Sequence, residues 1–286
     1  MSVPQASQMP PSRPEETRGL PHLLSRLRSY FLWDPLIWLY TIILGALSLL
    51  SSLFDKSGDI QHGFARLWSK IILATIGVHP QVEGLEKIDT AKAKVYVVNH
   101  LSALDIPVLY AYLPFQFRIL AKRGLFRYPF MGWHLRRSGQ IPVVLENPRA
   151  SVRSLNLAVS TLKAGLSLVI FPEGGRSADG QLHEFMGGAF YAAIKAQVEV
   201  VPMALVGTYE MLKMNTWHIK PGPVRLLVSE PITTAGMSTR NMEKLTQQAH
   251  NVIAGLYYSN SVVPDLRRQD TVSNGTNNIN VGQTQP

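Results

Sequence analysis

The 286-residue chain contains no cysteine. This excludes disulfides, thiol nucleophiles and thiolate metal sites, and it fits a reducing compartment. Charge is scarce as well. Only 16% of the residues are charged, against about a quarter in an ordinary soluble chain, so much of the surface is expected to avoid water. Acids are the scarcer sign, 19 against 28 lysines and arginines, which leaves a net charge of +9. An anionic partner follows: nucleic acid, anionic lipid and a phosphorylated substrate all qualify. There is no internal repeat, no zinc-ligand spacing, no helix-turn-helix pattern and no RNA-binding signature, which sets nucleic acid aside.

The opening, residues 1–28, is polar and proline-rich and reads as disordered. No apolar core follows closely enough for a signal peptide. From Pro35 to Phe54 there is no charged residue. As a helix this run would extend about 30 Å, the hydrocarbon thickness of a bilayer; the alternative is a buried core helix. Trp33, Trp38 and Tyr40 sit at one end, where interfacial aromatics belong. Arg26 and Arg28 precede the run and argue for a cytoplasmic N-terminal side. The following segment, "DIQHGFARLWSKIILATIG", is amphipathic. Ile60, Phe64, Leu67, Trp68, Ile71, Ile72, Thr75 and Ile76 share one face, while Gln61, His62, Arg66, Ser69 and Lys70 fall elsewhere. Residues 29–80 are therefore expected to form a two-helix membrane anchor.

Residues 81–262 read as one α/β domain, because short apolar runs alternate with helical stretches. The strand candidates are Val95–Val98, Phe117–Leu120, Ile141–Leu145, Leu166–Phe171, Val198–Val206 and Val224–Val228. Asn147, Pro148 and Gly165 punctuate one helix. A second runs from Ser238 to about Tyr258. Residues 263–286 form a polar tail, expected to be disordered.

Two stretches invite chemistry. "NHLSALD", Asn99–Asp105, leaves a buried strand and at once presents a histidine and an aspartate. In one continuous helix, residues five apart point about 140° apart and the pair could not meet. Pro107 is best tolerated in a helix's first turn, which puts the helix start near Asp105 and His100 in the turn before it. There Asp105 can accept the Nδ1 proton and leave Nε2 to take a proton from a hydroxyl. A capping aspartate beside a surface histidine is the bland alternative. In "FPEGGRS", residues 171–177, two glycines let backbone approach a ligand and Arg176 offers a planar fork suited to phosphate; a solvated turn is the alternative. Between them, Lys122, Arg123, Arg127, Arg136 and Arg137 interleave with Phe126, Tyr128, Phe130 and Trp133. That pattern suits a membrane-facing or phosphate-facing surface.

In order, "NHLSALD", "KRGLFRYPFMGWHLRRSGQIPV", "FPEGGRS" and "VVPMALVG" resemble the motifs of the glycerolipid acyltransferases, most closely the bacterial 1-acyl-glycerol-3-phosphate acyltransferases. The resemblance runs from about Arg66 to Ile232. It implies a central mixed sheet flanked by helices, and transfer of a fatty acyl group from acyl-CoA or acyl-carrier protein to the sn-2 hydroxyl of a lysophospholipid acceptor, 1-acyl-sn-glycerol-3-phosphate, giving phosphatidic acid. His100 and Asp105 match the catalytic pair. Glu173, Gly174, Gly175 and Arg176 match the acceptor-binding motif, Lys122 falls in the acceptor-pocket block, and Pro202 marks the last motif. No metal or cofactor is required, and a direct attack needs no acyl-enzyme. Membrane lipids are expected partners, at the cytoplasmic face of the inner membrane, where a one-leaflet anchor keeps the domain beside its donor.

Two positions depart from the family pattern. Gly175 replaces a threonine. Val144 and Leu145 stand where an acidic or polar residue and a phosphate-contacting arginine are usual. Arg149 is a candidate substitute; otherwise the acceptor is another lysophospholipid or an amino-acid lipid, or the chain is a lipid-binding relative without catalysis.

Overall fold

The computed structural model describes residues 20–55, 57–144 and 148–266. Seven strands form one sheet: β1 (Gln81–Glu83), β2 (Val95–Val98), β3 (Phe117–Lys122), β4 (Ile141–Val143), β5 (Ser167–Ile170), β6 (Val200–Val206) and β7 (Arg225–Val228). Their order across the sheet is β1-β7-β6-β2-β5-β3-β4. All neighbours are parallel except the β6–β7 pair, which is antiparallel. The sheet is thus mixed, as the resemblance implies. Strand β2, "VYVV", lies at its centre and is buried throughout. Tyr96 and Val98 enter one core and Val95 and Val97 the other, so helices cover both faces. A strand buried on both sides needs an unbroken apolar run, which is why β2 was legible in sequence.

The helices of the domain are α4 (Asp105–Tyr112), α5 (Met131–Arg137), α6 (Pro148–Lys163), α7 (Gly188–Ala196), α8 (Thr208–Met211) and α9 (Met242–Asn260). α4 begins at Asp105, where Pro107 placed the helix start. α9 begins four residues later than Ser238, after a 3₁₀ turn at Thr239–Asn241 that Ser238 and Asn241 close with a capping box. The three residues of β1 are too short to show a period and escaped sequence reading.

The N-terminal region differs in one respect from expectation. Helix begins at Leu20, inside the stretch read as disordered, and runs through α1 (Leu20–Arg28), a π-helical turn (Ser29–Trp33) and α2 (Asp34–Ser51). Residues 1–19 and 267–286, read as disordered ends, lie outside the described residues. The continuous 32-residue helix would be about 48 Å long, and among the described residues it alone is long and apolar enough to cross a membrane. Helix α3 (Asp59–Thr75) packs on α4 and α2. Ser48 of α2 shares a 3.0 Å hydrogen bond with His134 of α5, Trp68 donates to Thr41 at 2.9 Å, and the buried Arg118 donates to the Ser57 carbonyl at 2.6 Å. The two helices are therefore fastened to the domain at several points.

Candidate active site

Strands β2, β5, β3 and β6 run in one direction, so their carboxyl ends share one edge of the sheet. Open α/β sheets bind ligands along that edge, and the candidate residues are found there. After Val98 the chain turns sharply. Asn99 is fully buried and pins the turn to β6: its side-chain amide donates to the Leu205 carbonyl at 2.9 Å and its oxygen accepts the Leu205 N–H at 2.7 Å. Ser102 donates its hydroxyl to the Leu212 carbonyl at 2.8 Å. Neither role was legible in sequence, because both depend on strand β6 and the segment after it, a hundred residues away.

The turn brings His100 back onto the first residue of α4. His100 Nδ1 lies 2.8 Å from Asp105 Oδ2. The same oxygen accepts the N–H groups of Leu101 at 2.8 Å and Ser102 at 2.9 Å. The Asp105 side chain is wholly inaccessible, while that of His100 keeps 18% of its surface. An ionised carboxylate only accepts, so the Nδ1–H tautomer is assigned and Nε2 keeps its lone pair. No protein group among the described residues bonds Nε2. The alternative of a capping aspartate beside an unrelated histidine does not hold: Asp105 caps the turn and orients the imidazole with the same oxygen.

The second motif grips the first. The His100 ring stacks on Phe171 with centroids 4.0 Å apart, and the His100 carbonyl accepts the Ser177 N–H at 2.8 Å. Glu173 accepts the His100 N–H on Oε1 at 2.7 Å and the His183 N–H on Oε2 at 2.9 Å. Both of its oxygens are thus engaged by backbone, which makes Glu173 a positioning residue for His100 in this conformation. Burial pushes its carboxyl up to about 7, overcoming the two N–H bonds that favour the charged form. Gly174 has φ +75°, the left-handed region that suits glycine. Gly175 has ordinary φ, and a Cβ added there would meet open space, so the missing threonine removes a hydroxyl and leaves the backbone path unchanged. Arg176 is exposed and forms no ion pair among the described residues.

Lys122 ends β3, which pairs with β5, the strand whose following loop carries Arg176. Val144, just past β4, is half-buried, and its carbonyl accepts the Ser151 hydroxyl. Leu145 lies outside the described residues, as does the side chain of Arg149. Pro202 pairs with Val97 in the middle of the sheet, and its carbonyl accepts the Ser229 N–H at 2.9 Å. Of the basic and aromatic stretch after β3, Phe126 is buried and holds Arg136 through its carbonyl at 2.5 Å, whereas Tyr128, Phe130 and Trp133 are exposed. Among the described residues no cluster of histidines and carboxylates is suited to hold a metal ion.

Comparison with known proteins agrees with this geometry. A family model described as Acyltransferase matches residues 79–206, from just before β1 to the end of β6. The chain is 38% identical over 187 residues to the chloroplastic 1-acyl-sn-glycerol-3-phosphate acyltransferase LPAT1 of Arabidopsis thaliana, a match covering 63% of this chain and 51% of that one. It is 30% identical over 250 residues to a 1-acyl-sn-glycerol-3-phosphate acyltransferase of Chlamydomonas reinhardtii, covering 85% of this chain and 72% of that one. The matches span 51% and 58% of the first two plant relatives' length. Among solved structures, the 1-acyl-sn-glycerophosphate acyltransferase of Thermotoga maritima superposes with a TM-score of 0.68 at 25% identity, over 86% of this chain and all of that one.

Proposed function

The chain belongs to the acyltransferase family, and from that premise we propose that it moves a fatty acyl group from a thioester, acyl-CoA or acyl-carrier protein, to the sn-2 hydroxyl of 1-acyl-sn-glycerol-3-phosphate, giving phosphatidic acid. The resemblance drawn from the four motifs is borne out at the level of the family. The observation that carries the specific reading is the 2.8 Å contact between His100 Nδ1 and Asp105 Oδ2, at the sheet edge where β3 ends on Lys122 and the loop after β5 carries Arg176.

In this reading Nε2 takes the proton of the acceptor hydroxyl as its oxygen attacks the thioester carbonyl. The C–O bond forms, the carbonyl becomes a tetrahedral oxyanion, and Asp105 stabilises the imidazolium. Collapse breaks the C–S bond, and the leaving thiolate recovers the proton from His100. No acyl-enzyme forms, in keeping with a chain that lacks cysteine. Arg176 and Lys122 supply cationic donors for the acceptor phosphate. Val144 and Leu145 bring no charge to that phosphate. Losing one charge-assisted contact is worth about 1.5–3 kcal/mol, about ten- to hundredfold in affinity, which supports a second reading: the same chemistry on a lysophospholipid other than the phosphomonoester.

The exposed apolar side chains support attachment to a membrane. Phe31, Ile42, Leu50 and Phe54 of the N-terminal helix region, and Tyr128, Phe130 and Trp133 beside α5, are all exposed. We place this surface in the cytoplasmic leaflet, with the domain beside its donor. Protease accessibility in oriented vesicles tests it; termini on opposite sides would refute a one-leaflet anchor.

The function is tested with purified protein in detergent, a panel of lyso-acceptors, an acyl-CoA and His100→Ala. Acylation of 1-acyl-glycerol-3-phosphate, lost in the variant, is expected. Acylation of only a phosphodiester or amino-acid lysolipid would select the second reading. Silence of the wild type on every acceptor with both donor types would overturn acyl transfer.

A further inference from the structure

The acyl-transfer reading makes no use of a group of cations on the other side of His100. A cavity of about 290 Å³ opens between α1 and the segment after α8, and its wall includes His22, Arg26, Tyr30, Lys213, His218 and Lys220. This is near the lower end of the sizes that hold small molecules, about 300 Å³. The one acid in the wall is Glu210. Its carboxylate oxygens are closed off from solvent and have no hydrogen-bond partner among the described residues, so the wall sets the cations Arg26, Lys213 and Lys220 against a single acid.

Several contacts hold the wall in place. The π-helical turn buries Ser29, whose hydroxyl donates to the Trp217 carbonyl and accepts the Ile219 N–H, both at 2.9 Å. Ser25 Oγ lies 3.1 Å from His218 Nε2, and the His22 and His218 rings meet edge to face at 5.5 Å. Arg26 lies over the Tyr30 ring and Lys213 over the Tyr209 ring, at 5.8 and 5.7 Å from their centroids. Cations gathered on a braced wall suit a phosphate, whose charge they match.

The strand order places this cavity. β2 carries His100 between β6 and β5. Lys122 ends β3, and Arg176 lies in the loop after β5, where the next N–H, of Ser177, bonds the His100 carbonyl at 2.8 Å and the Ala178 carbonyl accepts the Tyr209 hydroxyl at 3.3 Å. The segment lining the cavity leaves the end of β6, and the Ser102–Leu212 bond ties it to the His100 turn at 2.8 Å. A hydroxyl and a thioester must converge on Nε2 from different directions. With the acceptor phosphate drawn toward Lys122 at the end of β3, the cavity beyond β6 remains for the donor.

We propose that this cavity is a second phosphate-binding site, and that the phosphate it takes belongs to the acyl donor, the nucleotide end of a CoA thioester. The inference rests on the acyl-transfer reading, so its test includes binding as well as turnover. Arg26 and Lys213 are both exposed and can be altered without opening the core. The full chain in detergent micelles is titrated with unacylated CoA by calorimetry, for wild type, the Arg26→Glu/Lys213→Glu double variant and the charge-keeping Arg26→Lys/Lys213→Arg variant. The expected result is CoA binding weakened at least about tenfold by charge reversal and restored by the conservative pair. The KM for acyl-CoA should rise to match, with the KM for the lysolipid unchanged. Added salt should weaken binding in wild type and have little effect on the reversed variant. A headgroup is the other source of phosphate, and sedimentation with phosphatidylglycerol vesicles distinguishes it. Loss of vesicle binding with CoA affinity unchanged would keep a phosphate site and refute the donor. No change in either refutes the site. If no acceptor is acylated but CoA binding still depends on these charges, the function reading fails and the site stands.

Discussion

Asp105→Asn tests the proposed catalytic geometry most directly. Asp105 Oδ2 receives three donors, His100 Nδ1–H and the N–H groups of Leu101 and Ser102. Oδ1 is buried and has no partner. An asparagine must put its carbonyl oxygen in the Oδ2 place, since an NH₂ there would face three donors. Its NH₂ then takes the Oδ1 place, buried and without an acceptor, at a cost of about 1–3 kcal/mol in stability. The imidazole still donates through Nδ1, so the tautomer survives. What is lost is the negative charge opposite the imidazolium that forms during transfer. Two unit charges 4 Å apart attract by about 4 kcal/mol at an effective dielectric near 20, and a charge-assisted bond exceeds a neutral one by about 1–2 kcal/mol. A loss of about 2–4 kcal/mol in the transition state lowers kcat about 30- to 1000-fold. That is less than the roughly 10⁴-fold loss in a serine-protease triad, where the same change also reverses the tautomer. The KM for the lysolipid should not move. A thiol-reactive dye reads released CoA continuously, and the cysteine-free chain adds no background. If kcat stays within about threefold of wild type while His100→Ala is inactive, Asp105 only shapes the turn and the reasoning fails.

Two other perturbations follow from the same surroundings. Glu173 is held up at about 7 from an ordinary 4.5, so its contribution to stability is complete below 4.5 and is lost as the pH rises through about 7, by up to about 3 kcal/mol. Thermal melting in detergent should show wild type losing stability between acid and pH 8 more steeply than Glu173→Gln; parallel curves would mean that the carboxyl is ordinary. Gly207 has φ +94°, and a Cβ there would stand 2.0 Å from the Pro223 carbonyl oxygen. Gly207→Ala therefore combines left-handed strain of about 1–2 kcal/mol with a backbone clash, and should lower Tm by more than about 5 °C. Gly175→Ala, with nothing within 4 Å of its Cβ, serves as the control. Equal melting of the two would refute the steric argument.

How much was legible in sequence depended on whether the signal was local. That His100 and Asp105 could meet was legible because Pro107 fixes the helix start shortly after the strand end, and their assigned roles came from the resemblance. The central strands were found because burial on both faces demands unbroken apolar runs. Glu173 was legible as a motif residue, but its positioning role was not. Only the fold shows that the N–H groups of His100 and His183 occupy both of its oxygens. Asn99 and the braces at Ser25 and Ser29 bond residues roughly 100 to 190 positions away, and no periodicity reports contacts of that span. The cations around the α1 cavity were missed for the same reason. Arg26 was read as a topology signal, and Lys213, His218 and Lys220 lie in a loop with no pattern.

The N-terminal helices show where periodicity itself stops short. It divides α3 correctly into an apolar and a polar side, but it cannot say which side meets the protein. A soluble helix buries its apolar stripe. Here Gln61, His62 and Ser69 are buried against the domain together with Ile72 and Leu73, while Ile60 and Leu67 of the apolar side are exposed. The long helix shows the same mixture: Ser29, Trp33 and Ser48 are buried, and Phe31, Leu39, Ile42 and Leu50 face outward. In water that arrangement would leave a continuous apolar surface uncovered, at about 25 cal/mol for each Å². In hydrocarbon the preference reverses, because the polar groups then need protein partners and the leucines do not. Ser29, Ser48 and the Trp68–Thr41 pair have such partners. The same serines fasten the long helix to the domain and Trp68 ties α3 to that helix, so the exposed apolar surface and the edge that carries His100 are held in one fixed relation.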